Sequence, residues 1–229
     1  MIIATAQPYF APYPGFLYKV HLADILVLLD QVQFPRGTTW ISRNRFKNDQ
    51  GTLWLTVPVW KKGLGLQPID KVRICYDSDW VRKHLQSLRT AYANAPFIDE
   101  HFPYIEKTYR SGFDLLIDIN MSFIQYLLKQ YRIDTEVIRQ SELGIQTQGN
   151  QLLVDICRRL NATAYLSQKA ARKYIDSKEL RDAGVALRHF RPPARVYPQL
   201  WGPFIENLSS FDLLFNCGPK APSILKKRR

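Results

Sequence analysis

The chain has 229 residues, enough for a single buried core or for one core carrying a subdomain. A hydrophobic share of 46%, with 12 Tyr, 12 Phe and 5 Trp, excludes a disordered chain, because that much apolar surface offsets the entropy lost on folding. The formal net charge of +12 suits a polyanionic partner such as nucleic acid, a nucleotide-activated substrate or an acidic membrane surface, although Lys226, Lys227, Arg228 and Arg229 supply part of it as a terminal run that reads as a solvated tail.

The opening MIIATAQPYF lacks a basic n-region and is broken by Gln7 and Pro8, so it does not read as a signal peptide, and no apolar run has the length of a membrane span. A cytoplasmic address is expected. Cys75, Cys157 and Cys217 are far apart and odd in number, which predicts buried free thiols and no metal site.

In chain order, IIATA reads as a strand, PGFLYKVHLA as a short helix, and the continuous apolar run ILVLL as a second strand covered on both faces, a βαβ start that predicts a parallel sheet. TLWLTVPV alternates as a strand after the turn at Asp49, Gln50 and Gly51, and KVRICY is a further candidate. The spacing then turns helical: Trp80, His84, Leu85, Leu88 and Tyr92 share one face, and residues 97–109 and 113–131 behave alike, punctuated by Pro96 and Gly112. TEVIRQS, TAYLS and VALRHFR read as strands, separated by the helices NQLLVDICRRL and ARKYIDSKELRDAG, the latter stopped by Gly184. The expected fold is therefore α/β, with a mostly parallel, Rossmann-like sheet built from the N- and C-terminal segments. Residues 1–78 and 134–220 form its core, 79–133 an inserted helical subdomain, and 221–229 a basic tail.

Four clusters carry chemistry. Gln7, Pro8 and Tyr9 open a loop at the carboxyl end of the first strand, where open parallel sheets bind ligands; the same prolines and aromatics also suit a rigid turn. Asp30, Gln31 and Gln33 end the second strand, and Trp40, Arg43, Asn44, Arg45 and Lys47 follow, a mixture suited to a phosphate and a ring. Asp30 reads equally as a structural acid pairing Arg43. In YLSQKAARKYID, Ser167 can cap a helix whose amides attract an anion, reinforced by Lys169, Arg172 and Lys173; Tyr165 and Tyr174 flank it. Near the C-terminus, Tyr197, Gln199, Ser209, Asp212 and Asn216 interrupt an apolar run; Ser209 and Asp212 suit a capping box, and Asp212 and Asn216 also suit a groove floor. No GxSxG, HExxH or Walker pattern occurs, and His21 lacks the second histidine of a nucleotidylyl transferase pair.

Taken in order, QPYFAPYPGF, ADILVLLDQVQF, WISRNRFK, WLTVPV, SEL, YLSQKAARKYID, YPQ and LSSFDLLFNCG resemble the WbqC-like family of bacterial proteins over nearly the whole chain. Gln168 stands where the family pattern usually has glycine. The resemblance implies a place among enzymes making O-antigen and related surface sugars of lipopolysaccharide, with transfer of glycine or another acyl group to an amino sugar. It carries candidate site positions onto Gln7, Pro8, Tyr9, Asp30, Gln33, Trp40, Arg43, Asn44, Lys47, Tyr165, Ser167, Tyr174, Gln199, Asp212 and Asn216.

Two functions fit these residues. In the first, a transferase or ligase forms an amide on a nucleotide- or lipid-linked sugar, with ATP or an aminoacyl-tRNA supplying the activated carboxyl group. Arg43, Arg45 and Lys47 then hold phosphates, Trp40 or Tyr9 stacks a ring, and Asp30 or Asp212 accepts the amine proton, with Lys169 a further catalytic candidate. In the second, the chain is a non-catalytic RNA-, DNA- or partner-binding protein.

Overall fold

The computed structural model describes residues 1–227, apart from the side chains of residues 173 and 174. Its elements run β1 (Ile2–Ala6), α1 (Pro14–His21), β2 (Ile25–Leu28), β3 (Arg43–Asn48), β4 (Gly51–Thr56), α2 (Trp80–Ala91), α3 (Ile98–Arg110), α4 (Leu116–Gln130), β5 (Glu136–Arg139), α5 (Gln140–Leu143), α6 (Gly149–Arg159), β6 (Ala164–Gln168), α7 (Ser177–Asp182), β7 (Ala186–Phe190), α8 (Ser210–Cys217) and α9 (Ala221–Lys226).

The apolar runs of β1 and β2 are too short for stable helices and are buried almost throughout, the state of a central strand covered from both sides. Five strands form one sheet in the order β5-β2-β1-β6-β7, every neighbouring pair parallel. Alternation along the strands separates two faces. Ala4, Ala6, Leu26 and Leu28 pack with Phe16, Leu17 and Val20 of α1, whereas Ile3, Ile25 and Val27 pack with Leu152 and Ile156 of α6. The sheet is doubly wound, as the sequence predicts. From β1 the chain moves outward through β2 to β5, then returns to the other side of β1 for β6 and β7, so strand order reverses between β1 and β6.

β3 and β4 form a separate antiparallel hairpin. KVRICY is not a strand: Arg73 and Ile74 make only isolated bridges, to Leu115 and Val59, because each faces a different partner and no continuous ladder develops. Helices α2 to α4 occupy the middle of the chain and bury Tyr92, Tyr109, Phe123 and Tyr131 in the same cluster that holds Phe46 of the hairpin and Phe211 and Phe215 of α8. The helical segment thus shares one core with the sheet. The tail expectation is also corrected: residues 221–226 form α9, and Ala221, Pro222 and Leu225 are buried because the apolar side of this short helix completes that core.

Candidate functional site

In a parallel sheet the carboxyl ends of the strands are where loops diverge and leave room for a ligand. A tightly held loop follows β1. Its backbone is held from beneath by two buried amides: Asn120 Nδ2 donates to Pro8 O at 2.8 Å, and Asn44 Nδ2 donates to Phe10 O at 2.9 Å and Ala11 O at 2.8 Å. Phe10 N donates to Trp40 O at 2.9 Å, and Ser210 N to Pro12 O at 2.9 Å. These bonds hold Ala11 at φ 42°, a left-handed conformation that an alanine does not adopt without such support. With the backbone fixed, Gln7, Tyr9 and Tyr13 stay half-buried, and among the described residues their side chains have no hydrogen-bond partner. Burial pushes the Tyr13 hydroxyl up to about 12, with Tyr9 beside it adding to the rise, and Tyr9 moves the same way.

Across the strand reversal lies the end of β6. Ser167 is buried, and its hydroxyl donates to Gln168 O at 3.3 Å rather than capping the following segment, a 3-10 turn over Lys169–Tyr174 whose cap position is Gln168. The half-buried Gln168 side chain has no hydrogen-bond partner among the described residues, and Lys169 is exposed. Beneath them Tyr165 and Thr5 share a buried 2.7 Å hydroxyl bond, and burial pushes Tyr165 up to about 12. The Tyr174 side chain lies outside the described residues. Gln7, Tyr9, Tyr13 and Gln168 are thus the polar groups at the reversal that remain open to a ligand.

Asp30 has a different character. It is fully buried, and it accepts Arg139 Nε at 2.7 Å, Ser141 N at 3.0 Å and Ser141 Oγ at 2.6 Å. Its partner is Arg139 rather than Arg43, so Asp30 ties the end of β2 to the turn from β5 into α5.

The basic hairpin divides between its two sides. Asn44 and Phe46 point into the core, while Arg43 and Arg45 lie on the outer side with Trp54, the cross-strand partner of Arg45. There Trp40 and Trp54, 41% and 40% exposed, sit 5.6 Å apart, with Arg43 over the Trp54 ring at 3.8 Å and Arg45 over Trp40 at 5.5 Å. Arg45 also donates to Glu206 O and Asn207 O at 3.1 Å each. Lys47 is buried, because the segment after β7 folds over it: its Nζ donates to Pro203 O at 2.6 Å and Gln199 Oε1 at 3.2 Å, and burial lowers its pKa.

Lys47 belongs to a buried network at the hairpin, α2 and α8. Asp212, fully inaccessible, accepts the Tyr92 hydroxyl at 2.7 Å and the Tyr197 hydroxyl at 2.8 Å, while Asn216 Nδ2 donates to Asp212 O at 2.8 Å. Burial raises the Asp212 pKa, opposed by those two hydroxyls and the Lys47 charge. Ser209 caps α8 by accepting Phe211 N at 3.3 Å, but the Asp212 carboxylate turns to the tyrosines and leaves the capping box unmade. The two aspartates singled out in the sequence therefore lie in separate networks.

A cavity of about 330 Å³ opens on the same carboxyl edge, beside the ends of β2 and β5. Gln31, Gln33, Gln140, Gln146 and Gln148 line it together with Thr147, and it ends at the first turn of α6. Of these, Gln31 and Gln33 are legible as strand-end polar residues, whereas Gln140, Gln146 and Gln148 escape a search for charged motifs. The density of glutamine in QSELGIQTQGNQ is the signal that marks them. Among the described residues no cluster of three or more His, Cys, Asp or Glu could hold a metal ion, and no helix is long and apolar enough to cross a membrane.

Sheet order and edge define a doubly wound α/β protein whose free polar side chains collect at the carboxyl ends of its strands. The chain belongs to the WbqC-like protein family, which matches residues 7–224. It is 28% identical over 226 residues, 98% of this chain and 97% of the other, to the uncharacterized protein Rv1507c of Mycobacterium tuberculosis (strain ATCC 25618 / H37Rv). No solved structure matches the chain.

Proposed function

We propose that the protein is an enzyme of bacterial surface-carbohydrate biosynthesis that transfers an acyl or aminoacyl group, such as glycyl, to the amine of an activated sugar. The observation that carries this reading is the set of free polar side chains at the reversal of strand order: Gln7, Tyr9 and Tyr13 on a loop fixed by Asn44 and Asn120, and Gln168 across from them at the end of β6. Amide formation joins the amine nitrogen to the activated carbonyl carbon, breaks the bond from that carbon to its leaving oxygen, and releases the amine proton to solvent. Negative charge develops on the carbonyl oxygen meanwhile, and fixed neutral donors in a half-dry crevice stabilise it. Tyr13, held up to about 12 by burial, keeps its proton at neutral pH and serves as such a donor, as do the amide nitrogens of Gln7 and Gln168. The carboxyl group is activated either on this protein by ATP or beforehand as an aminoacyl-tRNA.

Glycine-dependent exchange of labelled pyrophosphate into ATP, with purified RNA-free protein, tests the ATP route. Exchange identifies a ligase; transfer from a preformed glycyl donor to an amino sugar without exchange identifies a transferase. Neither activity across a panel of donors and nucleotide-linked amino sugars overturns the reading.

A second reading has one observation in its favour. The exposed Trp40 and Trp54 rings with Arg43 above form a stacking surface for unpaired bases, which suits an RNA partner, whether a tRNA donor or the target of a non-catalytic binder.

A further inference from the structure

The glutamine-lined cavity beside β2 and β5 combines three features. Gln140 is 97% buried by its 3% exposure, and its Nε2 donates to Ile145 O at 3.4 Å. A carbonyl can only accept, so this bond fixes which end of the amide is nitrogen and leaves Oε1 as the other end. That Oε1 is inaccessible and unpaired, as is Oε1 of Gln31 on the opposite strand end. A buried carbonyl oxygen without a donor is unfavourable, and both belong to residues that line one cavity, where a solute that brings hydrogens reaches them as the two side chains turn toward it.

The second feature supplies the complement. α6 begins at the cavity, its first helical bond being Leu152 N to Gln148 O, and Gln148 at the cap position makes no side-chain bond to the first turn. The amides of Gly149, Asn150 and Gln151 therefore lack helical acceptors, and of the three residues Gly149 lines the cavity and offers its donor there. Gly149 takes φ +61°, a conformation a side chain disfavours, which lets the chain turn into the helix at the cavity.

The third is the lack of charge. Among the described residues no Asp, Glu, Lys, Arg or His lines the cavity, and Val32, Ile145 and Leu152 form its apolar wall. A buried anion would gain from the α6 amides but leave both glutamine oxygens unsatisfied, and a cation would find no counter-charge. Hydroxyl groups satisfy both demands, since each donates one hydrogen bond and accepts others, and a volume of about 330 Å³ holds one small ring.

The geometry points to a binding site for a single uncharged polyhydroxylated ring, such as a neutral pyranose or its N-acetylated form, held between the Gln31 and Gln140 oxygens and the first turn of α6. That this ring is part of the acceptor sugar rests on the transferase reading; the binding itself does not.

Isothermal titration of the full-length protein with free glucose, galactose and N-acetylglucosamine tests the site, with inorganic phosphate and glycine as anionic and zwitterionic probes. At least one neutral monosaccharide is expected to bind, and Gln140→Leu is expected to weaken it at least tenfold while leaving the thermal midpoint of the free protein nearly unchanged, since removal of a buried unpaired oxygen offsets loss of the long bond to Ile145 O. Gln31→Leu, at a half-buried position, is expected to weaken binding without endangering the fold. Absence of binding by every neutral sugar overturns the proposal, as does sugar binding indifferent to both substitutions, or phosphate or glycine binding that Gln140→Leu abolishes. Sugar binding without amide-forming activity leaves this site standing and removes the transferase reading; activity without sugar binding does the reverse.

Discussion

The Tyr92 hydroxyl donates to Asp212 Oδ2 at 2.7 Å and in the same position accepts the Lys47 amide at 3.0 Å, joining α2, β3 and α8 through one oxygen. With both partners buried, removing that oxygen strands a carboxylate lone pair and an N–H together. Tyr92→Phe is expected to lower unfolding free energy by about 1–3 kcal/mol, and Asp212→Ala by about 2–6 kcal/mol because the buried Tyr92 and Tyr197 hydroxyls both lose their acceptor. Urea denaturation measures both. An Asp212→Asn protein with wild-type stability and no turnover would instead put the carboxylate in the chemistry.

Burial pushes the His84 imidazole down to about 4, where it packs edge-on against Trp80 with ring centroids 5.2 Å apart. An unfolded histidine titrates near 6.5, so between those values the unfolded chain binds a proton that the folded chain refuses. Stability is full above pH 6.5 and falls as the pH drops toward 4. His101, lowered for the same reason, acts in the same direction. The expected loss from His84 between pH 7.5 and 5 is about 2 kcal/mol, and His84→Leu should remove that share from urea midpoints taken at the two values.

Lys19 on α1 has no ion-pair or hydrogen-bond partner for its amine among the described residues, and burial pulls it from 10.5 to about 8. The folded state sheds this proton near pH 8 while the unfolded state keeps it to 10.5, so stability climbs over that interval. Lys19→Met, retaining the unbranched chain and discarding the charge, should raise the midpoint of thermal unfolding at pH 7 by roughly 2–6 °C and flatten the climb.

Gln7 and Tyr9 contribute no hydrogen bonds to the fold among the described residues, which separates them from the tied residues around them. Gln7→Ala and Tyr9→Phe are therefore expected to leave denaturation midpoints within about 0.5 kcal/mol of the parent while reducing amide formation on the order of 100-fold. Stopped or initial-rate assays on the substrate pair found active give the comparison. A loss of stability matching the loss of rate would mark them as structural.

If RNA is the donor or target, Trp54→Ala should weaken its binding by about 1–3 kcal/mol at every salt concentration, whereas Arg43→Ala should also reduce the salt slope by about one. Fluorescence anisotropy with an unstructured oligonucleotide distinguishes the two. Equal binding by parent and both variants removes the hairpin from RNA recognition.

The elements most legible in the sequence are those whose burial is uniform. IIATA and ILVLL are apolar runs buried within the sheet, and their pattern alone implies parallel strands. Residues 71–76 mislead because alternation there serves contacts with separate loops rather than one neighbour. Lys47 misleads more deeply. On an outward-facing position of β3 a lysine reads as solvated, yet Gln199 and Pro203, more than 150 residues away, close over its amine. Asp30 likewise finds Arg139, 109 residues along the chain, instead of the nearer Arg43. Such pairings depend on where distant loops return, which local spacing does not encode. The amide cavity escaped for another reason: uncharged glutamines give no electrostatic signature, and their significance lies in bonds left unmade.

Placing β1 at the centre of the sheet has a consequence for synthesis. Its residues leave the ribosome well before those of β6 and α8, and β2 can join them early, but Ile2 must wait for Ala164 and the loop after Ala6 for the arrival of Ser210. Until then one edge of an apolar strand stands open, the kind of exposed template that invites pairing with a neighbouring chain. Slow translation through the middle helices would lengthen that exposure. Greater chaperone dependence during expression, relieved once α8 has emerged, is the outcome expected from the order in which the strands are made.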